Sequence, residues 1–327
     1  MSQPIRVAIL GYGNLGRGVE AAIHRNKDMQ LVAIFSRRDP STFTTPASAP
    51  FVHVSELLAH KDKVDVLVLC GGSATDLPEQ TPQYVKDFVV VDSFDTHAKV
   101  PEHFAAVDAA AQANQSLGVI ATGWDPGLFS LNRVLGEAVL PQGDTYTFWG
   151  KGLSQGHSDA VRRVPGVAAG VQYTLPNEAS VEQVRQGERP ELSTREKHVR
   201  ECYVVLEEGA DEDTVRDAIV NMPHYFEPFD TTVHFITHEE LQRDHSAMPH
   251  GGVVLRSGET EANHKQAVEF GLRLGSNPEF TGSVLVAYAR AAHRMYVAGE
   301  RGAKTVFDIP IGLLSPHSPE ALRAGQL

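Results

Sequence analysis

The chain has 327 residues, too long for one ordinary nucleotide-binding fold and about right for two domains. Its 41 acidic side chains outnumber 29 basic ones, and a net charge of −12 argues against general nucleic-acid binding. Apolar residues make up 42 %, enough for a core, yet no apolar run reaches the roughly twenty residues of a membrane span. The two cysteines, Cys70 and Cys202, build neither a disulfide framework nor a zinc site, and reduced thiols in a cytoplasmic protein are expected. The chain opens straight into a strand, so no signal peptide is expected.

That strand, Ile5-Arg6-Val7-Ala8-Ile9-Leu10, is an apolar run of the buried parallel kind. It runs into Gly11-Tyr12-Gly13-Asn14-Leu15-Gly16, followed by Val19, Ala22 and Ile23 at helical spacing. A G-x-G-x-x-G turn is weak evidence alone. Set between a strand and a helix in a unit of about thirty residues, it is a dinucleotide fingerprint. Gly11 allows the tight turn, Gly13 lets the backbone approach a pyrophosphate, and Gly16 lets helix and strand pack closely. A second strand, Gln30–Phe35, ends at Ser36-Arg37-Arg38. An NAD enzyme usually places Asp or Glu there on the ribose 2′-hydroxyl; a hydroxyl and two guanidinium groups suit a 2′-phosphate instead. NADP is therefore expected, against the blander reading that both arginines begin a solvated loop.

After a small-residue connection over 40–50, Val64–Cys70 forms a strand entering Gly71-Gly72-Ser73-Ala74-Thr75-Asp76. Phe88–Val91 is a fourth strand, ending at Asp92-Ser93-Phe94-Asp95-Thr96-His97, and an alanine-rich helix spans Val100–Ala113. Leu117–Ala121 is a fifth strand, ending at Thr122-Gly123-Trp124-Asp125-Pro126-Gly127. The alternation predicts an α/β, Rossmann-type, doubly wound parallel sheet with functional loops at its carboxyl edge. Beyond about residue 125 the rhythm changes. Strands over Thr145–Trp149, Glu201–Leu206, Thr231–Ile236 and Gly252–Arg256, with a helix over Asp211–Asn221, predict an α+β domain with a mixed or antiparallel sheet. A terminal helix over Ser283–Gly299 is expected to pack back on the first domain. The expected division is a dinucleotide-binding domain over 1–122, completed by 275–327, and a second domain over 123–274.

Asp95 and Asp125 stand at neighbouring strand ends, where a carboxylate meets a substrate ammonium or serves as a general base. Either alone is more often a turn or helix cap; two beside a cofactor favour function. Trp149 precedes the loop Gly150–Asp159, whose glycines, amide, hydroxyls and imidazole suit close backbone contact with a ligand. Ser154, His157 and Asp159 lack a nucleophile elbow and are not read as a triad. Fifteen histidines form no ligand spacing, so no metal is expected. His250 sits in a rigid Met248-Pro249-His250-Gly251-Gly252 turn, and Arg200 opens a strand, where it is equally well a surface ion pair.

Together these segments resemble the meso-diaminopimelate D-dehydrogenase family over essentially the whole chain. The most specific matches are Leu153-Ser154-Gln155-Gly156-His157-Ser158-Asp159-Ala160 and Met248-Pro249-His250-Gly251-Gly252. Others are Thr122-Gly123-Trp124-Asp125-Pro126-Gly127, Phe148-Trp149-Gly150, Tyr173-Thr174-Leu175-Pro176 and Asn277-Pro278. The resemblance implies reversible NADP-dependent oxidative deamination of the D-centre of meso-2,6-diaminopimelate in lysine biosynthesis, by a cytoplasmic homodimer with no nucleic-acid or membrane partner. The second domain would then bind substrate and dimerise. Asp95, Asp125, Trp149, Gln155 and Gly156 would surround the reacting centre, with Asp95 or Asp125 assisting proton transfer. Thr174, Arg200, His250 and Asn277 would hold the distal L-centre. The cofactor would lie along Gly11, Tyr12, Gly13, Asn14, Leu15, Ser36, Arg37 and Arg38, and along Cys70, Gly71, Gly72 and Ser73. Ser93, Phe94, Asp95, Thr122, Gly123, Trp124, Asp125 and Pro126 would complete its surroundings. Two other readings compete: another two-domain NADP-dependent imine or aldehyde reductase, and a non-catalytic NADP-binding sensor.

Overall fold

The structure, a computed structural model, describes residues 3–43 and 49–327 and, of Gln155, the backbone alone. Five residues of the small-residue connection, 44–48, therefore lie outside the described residues. The chain forms two compact units, Met1–Leu131 with Pro278–Leu327, and Asn132–Asn277.

The first unit begins β1 (Ile5–Leu10), α1 (Asn14–His24), β2 (Met29–Ser36), β3 (Phe51–His53) and β4 (Val66–Leu69). It continues α2 (Leu77–Tyr84), β5 (Val90–Asp92), α3 (Val100–Ala113) and β6 (Leu117–Val119), and the chain leaves along α4 (Leu128–Val139). The second unit holds β7 (Gly143–Trp149), β8 (Gly152–Leu153), α5 (Gln155–Arg162), β9 (Val167–Pro176), α6 (Glu178–Arg185) and α7 (Thr194–Lys197). It goes on with β10 (His198–Leu206), α8 (Glu212–Val220), β11 (Asp230–Phe235), α9 (His238–His245), β12 (His250–Glu259) and β13 (Lys265–Leu274). The chain then returns to the first unit through α10 (Asn277–Val297), β14 (Gly302–Lys304) and α11 (Pro319–Gln326).

In the first unit the expected parallel doubly wound sheet forms, seven strands in the order β14-β6-β5-β4-β1-β2-β3. Its strands are apolar on both faces because both are covered. Val7, Ile9, Val66 and Val68 join one core with Val19 and Ile23 of α1 and Leu285 and Ala289 of α10. Ala8, Leu10, Leu67 and Leu69 join the other with Leu77 of α2 and Val107 and Ala111 of α3. Strand order reverses between β1 and β4, the place where α/β sheets open a crevice at their carboxyl edge. One buried cation ties α10 down. Arg290, 2 % exposed, donates to Asp28 at 2.6 Å, to Asn26 Oδ1 at 2.6 Å and to the Leu314 carbonyl at 2.8 Å. The guanidinium holds the Asp28 carboxyl below its ordinary range.

The second unit departs from the single sheet expected. It has a four-stranded mixed sheet, β11-β10-β9-β8, and a three-stranded antiparallel sheet, β13-β12-β7. Three of these strands lie outside the sequence expectation: β8, only two residues long inside the segment read as a loop, β9 and β13. Ala168, Ala169 and Gly170 dilute the apolar signal of β9, and β13 is largely exposed, so its alternation follows no core. The first sheet buries Cys202, Val204 and Val233 against Val161 of α5 and Val215 and Ile219 of α8. The second buries Phe148, Val253 and Leu255 against Val181 and Val184 of α6. The glycine-rich segment expected as one loop turns helical from Gln155, because the extended Ser154 lets α5 start there.

Candidate active site

In the first unit the strand-to-helix turn after β1 is shaped by close backbone approach. Gly11 turns with φ +97°, and a Cβ on Gly16 would lie 2.2 Å from the Gly11 carbonyl oxygen. Nothing stands within 4 Å of a Cβ on Gly13, so its outer side is open. Asn14 starts α1, and Leu15 packs on the core behind it. No side chain caps the helix at Gly13, and amides at such an N-terminus suit a phosphate. Tyr12 is buried, bonded through its hydroxyl to Glu20, and pushed up to about 12, first by burial.

A cavity of about 280 Å³ opens beside this turn, lined by Gly13, Ser36, Arg37, Arg38, Gly72 and Asp76 among others. Arg38 donates to the Tyr12 carbonyl at 2.7 Å and lies 4.4 Å over the Phe43 ring. Its amide donates to the buried Ser36 hydroxyl. Arg37 pairs with Asp76 at 3.0 Å, and Asp76 also accepts from the Gly72 amide at 2.9 Å. The sequence reading does not reach Asp76 as a site residue; its place at the end of the loop after β4, just before α2, is the available signal. Cys70 and Gly71 begin that loop, and burial pushes the Cys70 thiol up. Gln80 contributes a buried amide oxygen with no partner in the same cavity.

The two candidate carboxylates follow neighbouring strands. Asp95 is exposed three residues after β5, and its amide donates to the Ser73 hydroxyl at 2.8 Å. Asp125 is half-buried, and its bond to Pro126 is cis. Around them Ser93 is half-buried, whereas Phe94, Thr122, Gly123 and Trp124 are buried; Trp124 meets Phe129 edge-on at 5.3 Å.

In the second unit Arg200 and Thr174 face each other across β10 and β9, and the Arg200 guanidinium donates to the Thr174 hydroxyl. Arg200 is 8 % exposed and lies 3.9 Å over the Phe229 ring, so it is no surface pair. Burial pushes it down to about 10, and its Nε has no partner. Among the described residues no carboxylate pairs with it. Such a cation is poised for an incoming anion. His250 packs over Gly152, where a Cβ would lie 2.5 Å from its ring, and accepts from the Gly251 amide at 2.8 Å. The Asn277 amide donates to the Met248 carbonyl at 2.9 Å, placing Asn277 at the end of the same turn.

Trp149 ends β7, 38 % exposed and stacked on His198 at 5.4 Å. Its amide donates to His198 Nε2 at 2.8 Å, which requires a neutral acceptor nitrogen. Burial first, then Arg200, pushes His198 down to about 4, and the same two causes hold His157 at about 4. The Ser154 hydroxyl and His157 Nδ1 lie 2.9 Å apart, but Asp159 turns to Arg162, so no Ser–His–Asp relay forms. Gly156 is exposed in the first turn of α5, and the Gln155 side chain lies outside the described residues. Gln172, not anticipated, is fully buried two residues from Thr174, with an amide oxygen lacking a partner.

Residues 123–276 match the family model of the diaminopimelic acid dehydrogenase C-terminal domain. A meso-diaminopimelate D-dehydrogenase of Ureibacillus thermosphaericus is 62 % identical over 319 residues, 98 % of each chain. The chain belongs to the meso-diaminopimelate D-dehydrogenase family. The solved structure of the C. glutamicum DAP dehydrogenase in complex with DAP is 46 % identical, covers 100 % of both chains and has a TM-score of 0.90. An engineered D-amino acid dehydrogenase bound to NADP+ is 44 % identical, covers 99 % of this chain and 100 % of its own, and has a TM-score of 0.84. Among the described residues no group of three His, Cys, Asp or Glu is arranged to hold a metal ion.

Proposed function

We propose that the chain catalyses the reversible, NADP-dependent oxidative deamination of meso-2,6-diaminopimelate at its D-centre, giving L-2-amino-6-oxopimelate, ammonia and NADPH. The observation that carries this reading is the 62 % identity, over 98 % of both chains, to a meso-diaminopimelate D-dehydrogenase. The geometry fits a substrate of this charge. A buried guanidinium without a carboxylate partner suits one of its carboxylates, and exposed or half-buried aspartates suit an ammonium.

The glycine turn with its open Gly13 side, and the cavity bordered by Ser36, Arg37 and Arg38, fit an adenine dinucleotide carrying a 2′-phosphate. NADP, when bound, supplies the hydride acceptor. Gly11, Gly13 and Gly72 would face the pyrophosphate. Arg37 would exchange Asp76 for the 2′-phosphate while Arg38 stays over Phe43. At the reacting centre Asp95 and Asp125 pair with the ammonium, and one of them removes its proton so that the neutral amine is present. That proton passes on to solvent, and a carboxylate of the pair, ionised again, takes a proton from the water that adds to the substrate's imine carbon. Trp149, Gln155 and Gly156 border that centre. Arg200, Thr174, His250 and Asn277 hold the distal L-centre in one hand, which leaves a single Cα–H in the reacting position.

The reading takes the enzyme as a cytoplasmic homodimer acting on a small molecule, with 123–274 as the substrate and dimerisation domain. No helix among the described residues is long and apolar enough to cross a membrane. Absorbance at about 340 nm follows NADPH directly. Purified protein should produce that signal with meso-diaminopimelate and NADP, and not with the L,L-isomer or with NAD. Silence from a protein that still binds NADPH would overturn the reaction assigned.

A further inference from the structure

Asp92 ends β5 with a wholly buried side chain, 0 % exposed, and takes no part in the chemistry above. Its Oδ1 accepts from two backbone amides in different loops, Phe94 at 3.0 Å and Ala121 at 2.9 Å. Its Oδ2 accepts from the Thr81 hydroxyl on α2 at 2.7 Å and from His103 Nε2 on α3 at 2.8 Å. Its own carbonyl accepts from the Thr122 amide at 3.0 Å and from the Thr122 hydroxyl. One residue thus receives six hydrogen bonds: two from its own turn and helix α2, three from the loop after β6, and one from α3.

The arrangement has a direction. Phe94 immediately precedes Asp95, and Ala121-Thr122 lead into Asp125. Ala121 holds φ +53°, a left-handed conformation that a side chain seldom adopts without outside support, and the Oδ1 bond supplies that support. Thr81 and His103 hold the carboxyl group still from behind. The His103 ring stacks on the Phe94 ring at 4.2 Å, which fixes the first loop from its other side.

We propose that Asp92 is a positioning residue that sets the separation of the loops carrying Asp95 and Asp125, through a single oxygen shared between their backbones. This rests on the reading of those two aspartates as the groups that meet the reacting ammonium. Oδ1 is the essential atom, and the chemistry of Asn makes the claim specific. In Asp92→Asn the amide oxygen still accepts from Phe94 and Ala121. The amide nitrogen donates to Thr81 Oγ1, a hydroxyl that also accepts, so the two backbone bonds to the oxygen keep their support. In Asp92→Ala both backbone amides lose their acceptor.

The experiment compares Asp92→Asn, Asp92→Ala and Thr81→Val with the wild-type full chain. Asp92→Asn should keep kcat for meso-diaminopimelate within about threefold. Asp92→Ala should lose about a hundredfold in kcat while NADPH affinity stays within about threefold, the cost of misplacing reacting groups by about an ångström. Its pH profile of kcat should shift, whereas that of Asp92→Asn should not. Amide hydrogen exchange at Phe94 and Ala121 should quicken in Asp92→Ala alone. A folded Asp92→Ala enzyme with wild-type kcat, or equal losses in the Asn and Ala variants, would overturn the proposal. Should the Ala variant fail to fold, Thr81→Val decides: a fall of several-fold in kcat is expected, and an unchanged kcat would overturn it. Wild-type protein inert toward meso-diaminopimelate would instead defeat the assigned reaction, and exchange at Phe94 and Ala121 would still report the tie itself.

Discussion

The candidate site of the nucleotide unit is built mainly from backbone, whereas that of the second unit is built from side chains. Around β1 and β4 the groups offered to a ligand are amides, a helix terminus and glycines whose missing Cβ leaves room. Around β9 and β10 they are a guanidinium, a hydroxyl and an imidazole. A backbone site tolerates almost any side chain except at its close approaches. A side-chain site tolerates backbone variation as long as the strand register holds. The two halves should therefore fail in different ways.

The largest effect is expected from Gly16→Ala. Its Cβ would press on the Gly11 carbonyl at 2.2 Å, and neither partner is a flexible side chain. Overpacking of this kind costs about 1–3 kcal/mol or more. NADPH binding measured by nucleotide fluorescence should vanish, with a lowered Tm; a variant that binds normally would show that the turn yields without cost. Arg200→Met comes next. The KM for meso-diaminopimelate should rise at least about thirtyfold, because losing one partner of a buried charge pair costs about 2–5 kcal/mol. NADPH affinity should not move. The Tm of the substrate-free protein should not fall, since the variant removes a buried cation that no carboxylate compensates. A matching loss of NADPH binding would show that the substitution had damaged more than a substrate contact.

Replacing Arg37 and Arg38 together by Ala should raise the KM for NADP by about tenfold, at about 1.5–3 kcal/mol per charged hydrogen bond less what Arg37 already invests in Asp76. Turnover at saturating NADP should be spared. An unchanged KM would defeat the 2′-phosphate assignment. A last effect, on stability rather than on binding, concerns pH. His157 and His198 sit at about 4 in the folded protein against an ordinary 6.5, so between those values the unfolded chain binds more protons. Substrate-free stability should be full above about pH 6.5 and should fall as pH drops toward 4. His198→Gln, whose amide oxygen can still accept from the Trp149 amide, should flatten that fall. An equally steep decline in the variant would assign it elsewhere.

The same contrast governs how much was legible in the sequence. The glycine turn, the parallel strands and the helix Val100–Ala113 are readable because their cause is local: spacing, burial on both faces, and a proline in the first turn. The partnership of Thr174 with Arg200 is not local. The two are 26 residues apart and meet only because β9 and β10 pair in one register, and β9 itself lacked a clear apolar pattern. Arg200 read alone was as compatible with a surface pair as with a buried cation. Asp92 and Asp95 make the point most sharply. Three positions apart after one short strand, one is fully buried and the other exposed. The outcome depends on where β5 stops, and strand ends are the least certain feature of any sequence reading. Asp76 likewise became a partner of Arg37 only once β2 and β4 had brought their loops to one edge.

The return of the chain through α10 and β14 has a consequence for biosynthesis. One core of the nucleotide unit contains Leu285, Val286 and Ala289, and β14 pairs the far side of β6. A ribosome that has finished Met1–Leu131 has thus made a sheet with one apolar face covered by α1 but still lacking the share that α10 covers. It must then synthesise Asn132–Asn277 before the cover exists, roughly 7–30 s at about 5–20 residues per second. The Arg290 clasp on Asp28, Asn26 and Leu314 closes only after that interval, so the nucleotide unit stays unfinished while the whole of the second unit is made.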